Sequence, residues 1–264
     1  MRLAILTSAL LASACASALK TPAPLAAYAP GHANGRSAGQ LVAAAREAWA
    51  RRTEPGQARL AQDLFLDAAA LDPHRTDALL GALRALTFRI EFERGVSRGQ
   101  LAETAVALGQ WCQRLAPTEP ECDYRLAIAV GQQARERPST GKDAMRRMVD
   151  LLQRTIAADP CIDNAGPHRV LAMLLLHAPS WPVGPGDPEE AVEHARAAVR
   201  LAPRAPVNQI VLGDALAATG NEKGARAAYA EAIECARVAR EAGVPEARRW
   251  LADARTGLAK VARR

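Results

Sequence analysis

The sequence predicts an all-α protein. It reads as a solenoid of helical hairpins, about nine or ten helices, with a C-terminal helix capping the open end. Three observations carry this. Ala fills 60 of 264 positions while Phe, Trp and Tyr together reach 4%. The chain is therefore rich in helix formers and poor in the β-branched and aromatic residues that sheets need. Four similar stop signals recur at near-constant spacing. Between them, small and apolar residues form stripes at helical spacing behind N-capping signals. With 49% apolar and 23% charged residues, the composition is that of an ordinary globular chain long enough to bury a core. This composition argues against a sandwich, a barrel and a parallel-sheet enzyme.

Taken in order, the chain opens on an address. Met1-Arg2 is a short basic start, and Leu3 to Leu11 is an apolar run too short to span a bilayer. Ala12-Ser13-Ala14-Cys15 follows. Small residues before a Cys resemble a bacterial lipobox, with Ala12 where Leu is usual. The resemblance implies a signal peptide over 1–14 and acylation of Cys15, and two or three acyl chains anchor stably where one is marginal. The competing reading is simple secretion, cut after Ala14 or Ala18. Ala16 after the Cys, rather than Asp, implies outer-membrane sorting by the same resemblance. The expected location is the cell envelope, facing the periplasm. Residues 15–38, rich in Ala, Pro, Gly and Ser, are expected to form a flexible tether. Residues 39–264 form the helical domain.

The stop signals come next. Leu71-Asp72-Pro73, Leu115-Ala116-Pro117, Ala158-Asp159-Pro160 and Leu201-Ala202-Pro203 place their prolines 44, 43 and 43 residues apart. A Pro just beyond a helix prevents its continuation and biases the preceding residue away from αR. Regular spacing of that signal marks a repeat array. The residues upstream resemble the tetratricopeptide repeat (TPR), with small residues at positions 8, 20 and 27, a large one at 24 and Pro at 32. Ala61, Phe65 and Ala68 fit before Pro73, and Ala191 and Ala198 before Pro203, with Ala195 small at the large position. Leu212-Gly213, Gly220, Ala225, Tyr229 and Ala232 give the cleanest repeat, with Arg237 where Pro would stand. The middle repeats keep Ala105 at one crossing but have Met148 at the other. Spacing beyond the usual TPR length implies longer helices and loops, and HEAT-type arrays are the structural alternative.

Local signals place the helix ends. Asp187-Pro188-Glu189-Glu190 reads as an N-cap, a Pro at the first helical position and a Glu at the third. Ser97 to Gln100 and Thr118 to Glu121 have capping-box spacing. Gly220-Asn221 reads as a C′ glycine and a new cap. A last helix over about 245–262 covers the final hairpin.

The chemistry-bearing residues are few. No G-x-S-x-G or complete phosphate loop is present, and the serines lie at helix starts as caps. None of the five His has an i, i+4 partner, and no C-x-x-C occurs, so no metal and no cofactor are expected. The balance of 34 basic against 28 acidic residues gives +6, carried by 30 Arg and 4 Lys spread among the acids. Without a basic run or stacking aromatics this is a solvated helical surface, not a nucleic-acid site. Cys112 and Cys122 flank the Pro117 turn and are expected to pair, the alternative being buried free thiols. Cys161 and Cys235 have no assignable partner.

Asn164–Asp187 is the most informative stretch. It contains Gly166-Pro167-His168-Arg169 at a helix start, an apolar run to Leu176, and the loop Pro179-Ser180-Trp181-Pro182-Val183-Gly184-Pro185-Gly186-Asp187. With Asp159-Pro160, these residues resemble the T-components of tripartite ATP-independent periplasmic (TRAP) transporters over 159–232. The resemblance implies a lipoprotein that associates with a solute-binding subunit and passes a small hydrophobic ligand. His168 and Arg169 at a helix N-terminus offer a site for an anion, and Trp181 and Asp187 complete the candidate ligand- or partner-binding set. The opposing reading gives Arg169 a structural carboxylate and has Trp181 packing the loop down. Function is expected to be non-enzymatic. The alternative to the transporter role is a general scaffold for envelope or outer-membrane assembly complexes, with the membrane reached only through the N-terminal lipid.

Overall fold

Eleven α-helices follow one another in the computed structural model, which describes residues 17–263. They are α1 (Ala38–Ala50), α2 (Gln57–Leu71), α3 (Thr76–Phe92), α4 (Arg98–Leu115), α5 (Pro120–Glu136), α6 (Gly141–Ala158), α7 (Ile162–His177), α8 (Pro188–Leu201), α9 (Pro206–Ala218), α10 (Glu222–Glu241) and α11 (Ala247–Ala262). Odd and even helices pair as five hairpins, each packed on the next, and α11 packs on α9 and α10. No strand forms among the described residues, only one isolated bridge, Ser180 to Gly186. No helix among them is long and apolar enough to cross a membrane. The expected signal peptide (1–14) and the expected acylation site Cys15 lie outside the described residues.

The four stop signals end α2, α4, α6 and α8. Their C-caps are Asp72, Ala116, Asp159 and Ala202, each followed by its proline, with φ/ψ of −138/91, −135/68, −152/96 and −138/75°. Pro Cδ pushes the preceding residue out of the helical region. The same local clash therefore gives the same turn four times. The long spacing has the expected source: α3 to α6 run 17 or 18 residues each. In the fourth hairpin, it comes from the loop at 178–187.

Capping divides the expectations. Asp187 caps α8 by accepting from Glu190 N–H (2.9 Å), with Pro188 at the first position. Asn221 caps α10 after Gly220 at φ +79°. Ser97 makes no cap hydrogen bond, since its ψ of 84° departs from the extended value adopted by Ser37 (160°), which forms a full capping box with Gln40. At α5 the cap is Glu119 rather than Thr118, because Pro120 takes the first helical position.

The core is Ala-lined. Ala45, Ala61, Ala68, Ala105, Ala127, Ala172, Ala195, Ala225 and Ala232 are fully enclosed. Large residues insert where a glycine faces them. A Cβ on Gly213 would lie 2.7 Å from the Tyr229 ring, and one on Gly81 would lie 2.5 Å from Phe65. Gly131 does the same for Met148, which explains how the third repeat tolerates Met where the pattern asks for a small residue.

The expected tether is corrected over its described part. Residues 17–37 form a strap across the even-numbered helices. Ala18 N–H donates to the Asp143 carboxylate on α6 (2.9 Å), Trp111 Nε1 on α4 donates to Ala23 O (2.8 Å), and Gly31 and His32 N–H donate to Asp67 on α2 (2.9 and 2.6 Å). Ala18 and Leu25 are buried. The helices supply the acceptors and slots that an isolated Ala/Pro-rich segment lacks.

Candidate functional site

The first helices of four successive hairpins share a polar chain. Arg84 on α3 grips Glu121 on α5 (2.6 and 2.7 Å). Glu121 also accepts from Arg125, whose guanidinium reaches Asp163 at 3.7 Å. Tyr124 Oη donates to Asp163 Oδ2 (2.7 Å). Arg169 on α7 then donates to the same carboxylate (3.2 Å), to the carbonyls of Asp163 and Asn164 (3.1 and 3.2 Å), and to Asn208 Oδ1 on α9 (3.0 Å). Asn208 is fully enclosed and donates to the carbonyls of Asn164, Ala198 and Ala202.

The backbone explains this knot. Asp163, Asn164 and Ala165 are left-handed, at φ 53, 55 and 63°. L-residues resist that region at about 1–2 kcal/mol each, with Asp and Asn the most tolerant. The right-handed part of α7 begins beyond them, as Gly166-Pro167 predicts. Any Cβ on Gly166 would collide with the Tyr124 hydroxyl. Burial pushes the Tyr124 pKa up, so the hydroxyl stays protonated and donates. Burial would raise Glu121 too, but the Arg84 hydrogen bond and the Arg125 and Arg84 charges outweigh it and hold the carboxyl below its usual range. Arg169 is thus a clamp on a strained turn, with its donors aimed at protein acceptors.

The other candidate residues do not gather around Arg169. His168 faces α8, its Nδ1 2.9 Å from His194 Nδ1. Burial lowers both imidazole pKa values, and His194 and Arg200 lower His168 further, while Glu190 opposes the shift at His194. Asp187 is occupied as the α8 cap. Trp181 is 87% exposed and does not pack its loop down. The loop holds its shape through Gly186 N–H to Pro179 O (2.9 Å) and Asp187 N–H to Leu175 O (2.9 Å). Cys112 and Cys122 are joined across the Pro117 turn, Cα atoms 5.4 Å apart, and Cys161 and Cys235 are free thiols. Among the described residues no group of three or more His, Cys, Asp or Glu is arranged to hold a metal.

Among the described residues, two of the surface grooves lie beside the candidate residues. A groove of about 290 Å³ lies on α7, α9 and α11, where Met173, Leu176, Val207, Ile210, Val211 and Trp250 supply apolar walls between Arg169 and Asp214. A larger one, about 690 Å³, separates α6 from the 178–187 loop. Sequence reasoning missed Tyr124, Arg125, Asp163 and Asn208. Their signal was faint but present: the linked pairs are 37 to 39 residues apart, close to one repeat, and Asp163-Asn164 is a left-handed-tolerant pair beside Gly166-Pro167.

No protein-family profile matches the chain, and no curated protein matches it. Solved structures do. A thermophilic TPR protein of Thermus thermophilus superposes with a TM-score of 0.61 at 18% identity, covering 82% of this chain and 98% of that one. The MamA protein superposes at 0.48 and 16% identity, covering 78% and 96%. The fold and its helix pairs define a TPR-like helical-hairpin repeat protein closed by a C-terminal capping helix.

Proposed function

We propose that the protein is a non-enzymatic interaction scaffold, held in the cell envelope by lipid on Cys15 and facing the periplasm. The observation that carries the scaffold reading is the apolar groove on α7, α9 and α11. Met173 stands 44% exposed there among aliphatic neighbours, on first helices whose polar chain fixes their spacing. Exposed apolar surface beside polar groups marks a place where a protein segment docks. The lipobox-like Ala12-Ser13-Ala14-Cys15 supports the location. A narrower role, a TRAP T-component bound to a solute-binding subunit and carrying a small hydrophobic or anionic ligand, draws on the sequence resemblance over 159–232 and on the shaped loop at 178–187.

Affinity purification from membranes tests the reading. Wild-type protein retains a protein partner, and Met173→Glu loses it without lowering the melting temperature. Equal capture by the variant removes the groove from the account. A solute-binding subunit, or a small molecule retained in native mass spectrometry, selects the transporter role over the general scaffold.

A further inference from the structure

The groove between α6 and the 178–187 loop joins three features that the scaffold reading does not use. The first is a rigid apolar tip. Val183 and Gly184 N–H donate to Ser180 O (3.1 and 3.2 Å), and Gly184 sits so close to Pro179 O that a Cβ would come within 2.6 Å. This clamped loop nevertheless points Trp181 (87% exposed) and Val183 (62%) outward. A loop fixed so firmly does not leave its Trp in water for lack of a stable fold.

The second feature is the facing wall. The first turns of α6 carry Lys142, exposed, and Arg146 and Arg147, which share Asp143 at 2.7 and 2.8 Å. With Asp150 the groove has three cations against two carboxylates. Val183 lines the groove with these cations, and the exposed Trp181 stands two residues before it on the same loop. Trp and aliphatic residues together with Lys and Arg are the composition of a bilayer interface.

The third is where the chain leaves. Ser17 lines this groove, and the next residue is fastened to Asp143 through its N–H. Backbone hydrogen bonding from Ala18 and the Arg146 and Arg147 pairs overcome burial and hold the Asp143 carboxyl at about 2, so the fastening is anionic at neutral pH. Cys15 is two residues farther on, within about 7 Å of extended chain.

We propose that this groove is the membrane-facing surface of the protein. The bilayer to which Cys15 is anchored is its occupant. Trp181 and Val183 enter the boundary between headgroups and acyl chains, and Lys142 and Arg146 lie at the phosphates. The strap then fixes the orientation of the whole array, with the anchor and the loop as two points of contact. The inference rests on the lipid-anchor reading.

The test uses the full chain produced with its own leader in a Gram-negative host and reconstituted into phosphatidylethanolamine–phosphatidylglycerol vesicles, plain or with brominated acyl chains. The mass of the Cys15 peptide reports the anchor, and tryptophan quenching reports the face. Bromine quenches part of the wild-type emission, and Trp181→Phe loses that quenched part while keeping its melting temperature. An acylated, vesicle-bound protein whose emission is the same in both lipids overturns the face and leaves the anchor standing. Trp181 shielded from acrylamide in native membranes but unquenched in pure lipid overturns it in favour of a protein partner. A Cys15 peptide without acyl mass and protein recovered in the supernatant overturn both.

Discussion

Replacing Arg169 with Ala separates a structural clamp from a binding residue. The side chain is 12% exposed and serves five acceptors, the Tyr124 hydroxyl the most distant of them at 3.4 Å. Their losses are unequal. Asn208 Oδ1 is enclosed and becomes an orphan, which costs about 1–3 kcal/mol. The Asp163 carboxylate is 38% exposed and keeps Tyr124, so its share is screened to about 1 kcal/mol or less. The two backbone carbonyls belong to exposed residues and turn to water, and Asn164 O keeps Asn208 Nδ2. The sum is about 1–4 kcal/mol, or roughly 2–16 °C in melting temperature for a domain of this size. Urea unfolding and a thermal melt measure it. Asn208→Ala falls in the same range, and the double variant costs less than the sum because the two share one hydrogen bond. An Arg169→Ala protein that melts with the wild type yet loses its partner refutes the clamp and restores Arg169 as a binding group.

Two further outcomes follow from the same geometry. Both His168 and His194 have pKa values below the ordinary 6.5, so the unfolded chain takes up protons first. Stability is full above 6.5 and is lost as pH falls through the lowered folded values. His194→Gln flattens that dependence in melts taken on either side of 6.5, and an unchanged slope contradicts the pairing with His168. Cys112 and Cys122 are separated by 10 residues. Closing a loop of that length stabilises by roughly 2–3 kcal/mol, so Cys112→Ser lowers the melting temperature of unreduced protein, and a non-reducing digest of wild type yields the linked peptide. A digest with both thiols free removes the bond.

What the sequence made legible was whatever acts over a few residues. A Pro after a helix, an Asp before Pro188 and a Gly before Asn221 each impose a local geometry, and the structure shows each in place. Composition misled at residues 17–37. It describes what a segment prefers alone, while Asp67, Trp111 and Asp143 lie on three separate helices and decide where the segment rests. The role of Arg169 was open for the same reason. Its neighbours in sequence suggested a helix N-terminus, but its partners are a carboxylate six residues back across a left-handed turn and an Asn on the next hairpin.

The longest contact was the least legible and has the widest consequence. In an open solenoid each repeat touches only its neighbours, so ends loosen independently. Here Arg52, after α1, forms a two-point pair with Glu246, before α11, at 2.8 and 3.0 Å, with both side chains mostly buried. Arg249 adds a hydrogen bond to Glu91 O (3.3 Å) and covers the Phe92 ring at 5.1 Å. The first two hairpins and the cap thereby hold one another, across 194 residues of sequence. Fraying of the cap exposes a charge on the first hairpin as well as its own apolar face. The apolar groove that includes Trp250 of α11 therefore depends on an ion pair from Glu246 to Arg52 near the other end of the chain, and any ligand bound in that groove would stabilise both ends of the array together.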